Sequence, residues 1–139
     1  MDKAFLDFVV NKNNDYKKWL PVYSKVLNEY VVFNTKGFNH LRFRTDNTPR
    51  NKKEAKYKLG LLPLVRPVIH NAPVFEKYTR RTSPVGGSRK VVLKEIDYWS
   101  IVAVVGKQNV KIRVVIRRIG NGQIHFWSVM KLHNKKTHF

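Results

Sequence analysis

The chain has 139 residues, 42% hydrophobic and 12% aromatic, with 28 lysines and arginines against nine acidic residues and a formal net charge of +19. That much apolar material excludes a disordered basic tail and fits one domain, 1–139, while the absence of cysteine removes disulfides, thiolate zinc sites and thiol nucleophiles. No apolar run approaches the roughly 20 residues that span a bilayer, and the N-terminus has neither the basic n-region nor the long apolar h-region of a signal peptide.

In chain order, a short helix is expected over residues 2–11, with Phe5, Phe8 and Val9 on one face. Tyr16, Trp19, Leu20, Tyr23, Val26, Leu27 and Tyr30 recur at helical spacing behind Asn14 and Asp15, which predicts an amphipathic helix over 15–30. Pro21 would kink that helix or make the residues after it the real start. Thr48-Pro49 reads as a cap and first-turn proline for a basic helix with Ala55, Leu59 and Leu62 as its apolar stripe. Pro63 to Asn71 reads as a last short helix, perturbed by Pro67, with Leu64, Val65, Val68 and Ile69 near one face.

After Ala72 the pattern changes to period two, predicting strands over 74–80, 90–96, 98–105, 110–118 and 124–131. Gly106–Asn109 and Gly120–Gln123 supply hairpin turns, and Pro84–Ser88 reads as a flexible loop. The expected architecture is α+β. Helices from the mainly helical 1–72 pack on one face of a four- to five-stranded antiparallel sheet over 73–132, and a basic tail, 133–139, follows.

The positive residues recur from Lys3 to Lys136, so they mark a surface rather than a tail. Spread charge of this size repels itself in the compact state and points to a polyanionic partner, nucleic acid first. An anionic membrane is the weaker candidate, because basic membrane-binding segments are usually amphipathic helices and the last third here reads as strands. In the strand 110–118, Ile112, Val114 and Ile116 alternate with Lys111, Arg113, Val115 and Arg117, so one face is apolar and the other basic. Which residues of the next strand join the arginines depends on the turn between them. If Asn121-Gly122 is a two-residue turn, Ser128 opposes Val115 and lies between Arg113 and Arg117, and His125 faces away. If Gly120-Asn121-Gly122 is a three-residue loop, His125 opposes Arg117 instead.

The five histidines form no zinc-hydrolase pattern and the nine acids are scattered, so neither a metal nor another cofactor is expected. A nuclease of this composition would be metal-independent, with a base for the 2′-hydroxyl, an acid for the leaving 5′-oxygen and cations against the phosphate charge. Only RNA offers that internal nucleophile. His40, after Gly37 and before a short apolar-basic alternation, reads as a loop-to-strand residue and a catalytic candidate, as does His125. His70 reads as a helix-end or surface residue, and His133 and His138 fall in a tail expected to be mobile. Tyr98, Trp99 and Trp127 are candidates for stacking on bases, although alternation sends one of Tyr98 and Trp99 inward. Lys58 and Lys131 complete the candidate RNA-binding set with Lys111 and Arg113.

Three stretches together resemble the barnase, EndoU, colicin and RelE-like nuclease superfamily, and within it the phage and polymorphic-toxin domains. They are Asn39-His40 with its basic continuation, Arg50-x-x-x-Glu54-x-x-Tyr57-Lys58-Leu59-Gly60-Leu61-Leu62-Pro63 running to Ile69, and Gly120-Asn121-Gly122-x-x-His125-Phe126-x-Ser128. The resemblance spans about residues 36–132 and implies a barnase-like fold with metal-independent cleavage of RNA. It would make His40 the general base or acid, Arg117 or Arg113 the phosphate clamp, Ser128 a hydrogen-bond donor and His125 a second acid-base group, and it favours the register that puts Ser128 on the arginine face. A family member can carry arginine where this helix has Lys58. The resemblance also implies a toxin or effector in a phage or mobile element. Such a toxin would act in cytoplasm, that of a target cell after delivery, and be held in check by an acidic immunity or antitoxin protein. The competing readings are a non-catalytic RNA- or DNA-binding module and a basic structural protein of a ribosome or capsid.

Overall fold

A computed structural model of the chain describes residues 2–86 and 91–132. Gly87, Ser88 and Lys90 of the expected loop and strand, and the tail with His133 and His138, lie outside the described residues. The fold is α+β, with four helices and a four-stranded antiparallel sheet among the described residues.

Helix α1, Lys3–Lys17, is longer than the expected 2–11. Asp2 caps it by accepting from the Phe5 amide at 3.0 Å, and Val9 and Tyr16 are its buried residues. The helix expected over 15–30 does not form. Its residues end α1 and then make a hairpin, β1 Val22–Ser24 and β2 Glu29–Val31, turned by Asn28 at φ 55°. The seven-residue interval between Tyr23 and Tyr30 belongs to this hairpin, where they are cross-strand partners with ring centroids 5.3 Å apart. Pro21 lacks the amide that would continue the helix, and the β-branched Val22 and Val31 pair across the strands instead.

Helix α2, Thr35–Arg42, holds His40 in its last turn rather than in the expected loop-to-strand position. Helix α3, Lys52–Gly60, is capped by Asn51, which accepts from the Glu54 amide at 2.8 Å, and not by Thr48. The Thr48 hydroxyl instead donates to Asp46 at 2.6 Å in the preceding turn. Helix α4, Leu62–Asn71, keeps Pro67 within it and buries Leu62, Val65, Val68 and Ile69.

Strands β3 Phe75–Val85, β4 Val92–Val105, β5 Val110–Ile119 and β6 His125–Lys131 follow in meander order. The segments expected as 90–96 and 98–105 are one 14-residue strand, because Asp97 between them stays in register with Arg80 and Arg118. The edge strand β3 also runs past its expected end, to Val85. Pro84 sits in it where a missing amide is tolerated.

Ile112, Val114 and Ile116 are fully buried and meet the apolar face of α4. Burying each is worth about 1.5–3 kcal/mol. The outer edge of β6 is covered rather than open. Val32 donates its amide to Ile124 O at 3.0 Å and accepts from Phe126 N at 2.9 Å, and α2 packs against the same strand. None of the helices among the described residues is long and apolar enough to cross a membrane.

Contact between α2 and β6 depends on Gly37. A Cβ there would lie 2.4 Å from Phe126 O, 2.9 Å from the Phe126 ring and 3.0 Å from the Tyr16 hydroxyl. Alanine in a helix normally gains about 1 kcal/mol over glycine. Here Gly37→Ala is expected to destabilise by about 1–3 kcal/mol through overpacking. The midpoint of urea unfolding checks this, and an unchanged or raised midpoint contradicts it.

Candidate functional site

The site begins with an irregularity in β6. Val115 pairs with Ser128, but Ile116 pairs with Phe126 and Arg117 with His125, so Trp127 is an extra residue in a β-bulge. The two registers left open by the sequence therefore coexist on either side of it. His125 and Ser128 both share the sheet face of Arg113 and Arg117, and the connection between β5 and β6 is residues 120–124 rather than two or three residues.

Trp127 carries two planar groups. The His40 imidazole lies with its centroid 3.9 Å away and 14° from parallel, and the Arg117 guanidinium carbon is 3.4 Å from the ring centroid. Two such groups cannot share one face at these distances, so the indole is sandwiched between them. Arg117 Nε donates to His125 Nε2 at 2.9 Å. That nitrogen is therefore unprotonated, and the ring's proton sits on Nδ1, facing Gln123 O at 3.5 Å. Tyr98 stands opposite Arg117 on β4 and hydrogen-bonds with it. Arg117, His125 and Ser128 are 8%, 4% and 5% exposed, so this end of the arginine face is closed over. The face expected to be free is not free here.

His40 is held from behind. Its carbonyl accepts from Arg50 Nε at 3.0 Å, and Arg50 is held in turn by Glu54 at 2.5 Å. Lys58 Nζ donates to Val129 O at 3.3 Å, which ties α3 to β6, and the Tyr57 hydroxyl accepts from Lys131 N at 2.7 Å. Arg50 and Tyr57 were not candidates from composition or periodicity. For Arg50 the signal is its i, i+4 spacing from Glu54, and for Tyr57 the sequence offers none beyond its place beside Lys58.

Burial, reinforced by the charges of Arg50, Lys58 and Arg117, lowers the His40 pKa to about 4. Burial and the Arg117 charge bring His125 to about 4 as well, against the hydrogen bond to Gln123. Burial and then the Arg50 charge lower Lys58, and burial lowers Arg117 against its bond with Tyr98. Both imidazoles are neutral at pH 7. Among the described residues, neither Arg117 nor Lys58 has a carboxylate in an ion pair with it. A buried guanidinium satisfied only by neutral groups retains its attraction for an anion.

Other sequence candidates lie apart. Arg113 shares the face of Arg117, but Glu76 takes its guanidinium at 2.7 and 2.9 Å. Trp99 is on the opposite, helix-packed face, 5.4 Å from Tyr78. Lys131 pairs with buried Ile112 and so also leaves the arginine face, and Lys111 is exposed at the far end of β5. With both faces of Trp127 occupied, stacking on a base would require His40 or Arg117 to move. His70 Nδ1 donates to Tyr23 O at 2.9 Å, which ties the β1–β2 hairpin to α4.

The low imidazole pKa values have a consequence for stability. The folded chain refuses protons below the ordinary histidine value of 6.5 that the unfolded chain accepts, so stability is full above about 6.5 and falls as pH drops toward about 4. Each imidazole contributes up to about 1.4 kcal/mol per pH unit in that window. His125→Gln, whose amide oxygen can still accept from Arg117, is expected to remove one imidazole's share, as read from urea unfolding at a series of pH values. Equal slopes for parent and variant would contradict it. No known protein family matches the sequence, and no curated protein or solved structure is significantly similar to it.

Proposed function

We propose that this protein is a metal-independent endoribonuclease acting through His40 and Arg117. The observation that carries this reading is a neutral imidazole clamped on an indole and ringed by Arg117, Arg50 and Lys58. In the reaction, the neutral His40 takes the proton of the ribose 2′-hydroxyl, and the 2′-oxygen attacks the adjacent phosphorus. A bond from that oxygen to phosphorus forms, the bond to the 5′-oxygen breaks, and a 2′,3′-cyclic phosphate is left. Arg117 and Lys58 oppose the charge growing on the phosphate. The leaving oxygen needs a proton, and Lys58 is the cation of this group whose proton burial and the Arg50 charge make easier to release. The chemistry supports His125 as a positioning residue rather than a second acid-base group, since its Nε2 is taken by Arg117. Ser128, one residue past Trp127 on the same face, is the candidate hydrogen-bond donor.

A net charge of +19 supports RNA as the partner and an acidic inhibitor protein as the natural antagonist of a toxin built this way. The closed stack favours one second reading, a non-catalytic RNA-binding module, because neither imidazole carries a proton at neutral pH to serve as an acid.

Total RNA and single-stranded DNA incubated in excess chelator separate the two. The parent is expected to cut RNA to 2′,3′-cyclic phosphate ends and spare DNA. His40→Ala and Arg117→Ala are expected to cut more slowly by about 10²–10⁴-fold and about 10²–10³-fold, with RNA still bound by His40→Ala. RNA that is bound and stays intact with the parent under every condition contradicts the nuclease and leaves the binding module.

A further inference from the structure

A second basic concavity lies away from Trp127 and shares no residue with that site. It is a cavity of about 770 Å³ between the end of α1, the segment leading into β1, and the outward side of α4. Its volume falls in the roughly 300–1,000 Å³ range of small-ligand sites. Its lining includes three cations, Lys12, Lys18 and Arg66, against one carboxylate, Asp15. Trp19, Pro63 and Pro67 are among its apolar lining residues.

The cations are poorly matched within the fold. Arg66 is held by a single long contact, Nη2 to Leu20 O at 3.4 Å, and its Nε is buried without a hydrogen-bond partner among the described residues. Lys12 and Lys18 are in no ion pair among those residues. Buried guanidinium N–H groups are nearly always satisfied, so Arg66 lines the cavity with hydrogen-bonding capacity that the fold does not use. Trp19 follows Lys18 directly at the end of α1 and lines the same concavity as Arg66 of α4, which brings charge and an aromatic ring together. His70, also in the lining, is tied through Nδ1 to Tyr23 O.

We infer that this cavity binds a nucleotide, with its phosphate on Lys12, Lys18 and Arg66 and its base against Trp19 and the two prolines. The phosphate and base could belong to a free nucleotide or to the phosphorylated end of a polynucleotide, since the cavity recognises the same chemistry in both. The inference does not rest on cleavage at His40.

Calorimetric titration of the full chain with AMP, adenosine and inorganic phosphate at one ionic strength tests it. AMP is expected to bind saturably and at least about tenfold more tightly than either part, because only AMP engages the cations and the apolar lining together. Arg66→Gln and Lys18→Gln, each checked for an unchanged melting temperature, are each expected to weaken AMP by about tenfold. His40→Ala is expected to leave AMP binding as it is. A 5′-phosphorylated oligodeoxynucleotide that displaces AMP where the unphosphorylated one does not identifies a polynucleotide end, and displacement by neither identifies the free nucleotide. The inference is overturned if AMP binds no better than phosphate, or if its affinity survives both cavity substitutions. It is overturned equally if His40→Ala abolishes AMP binding, which would assign the nucleotide to the Trp127 site.

Discussion

The β-bulge at Trp127 is the constraint on which the site depends. Without the extra residue, a regular pairing of β5 and β6 would put either His125 or Ser128 on the arginine face, because side chains alternate. With it, both lie on that face, and Trp127 is released from the ladder to accept His40 on one side and Arg117 on the other. The bulge is held from the outside by α2, which reaches β6 closely because position 37 has no side chain. From the inside it is held by an aromatic cluster in which Phe126 meets Tyr16 and Phe33 at centroid distances of 6.3 and 6.0 Å. Tyr16 closes the arrangement by donating at 2.6 Å to the carbonyl of Asn34, the residue that caps α2. The placement of His40 thus follows from packing between residues far apart in the chain.

Charge is distributed with the same selectivity. The few carboxylates are spent on particular arginines. Glu54 holds Arg50, Glu76 holds Arg113, Asp97 holds Arg80 and Glu29 holds Arg118. Those pairs fix strand neighbours and helix ends, and each keeps at least one partner open to solvent, which limits what it adds to stability. What they leave unmatched is informative. Arg117, which is buried, and Lys58, which is half-buried, donate to neutral acceptors, and the neutral His40 lies near them. A chain of net charge +19 concentrates the attraction for an anion where its positive groups have lost both water and counter-charge.

Much of the sheet was legible in the sequence. The alternation of Ile112, Val114 and Ile116 with Lys111, Arg113 and Arg117 gave the buried and basic faces of β5, and the change of period at Ala72 marked where helices yield to strands. The α1 end and the first hairpin were not legible from spacing, because Tyr23 and Tyr30 are seven apart both on a helix face and in this hairpin's register. His40 was a candidate for its residue type, but its helical position was hidden, since α2 is only eight residues long and its apolar stripe is Phe38 and Leu41. The bulge could not be foreseen, because both open registers were locally acceptable and the choice was made by Val32 and α2 against the edge of β6. His125 was sought as a reactive group and is found buried, supporting Arg117.

Everything proposed for the site rests on His40 being a neutral imidazole, kept so by burial and surrounding cations. Nuclear magnetic resonance of the histidine ring signals across pH, with and without a 2′-deoxy oligonucleotide that binds but offers no 2′-hydroxyl, measures this directly. The His40 signal is expected to titrate near 4 in the free protein and to move upward when the oligonucleotide's phosphates offset Arg117, Arg50 and Lys58. A His40 signal that titrates at the ordinary 6.5 and ignores the oligonucleotide would contradict it.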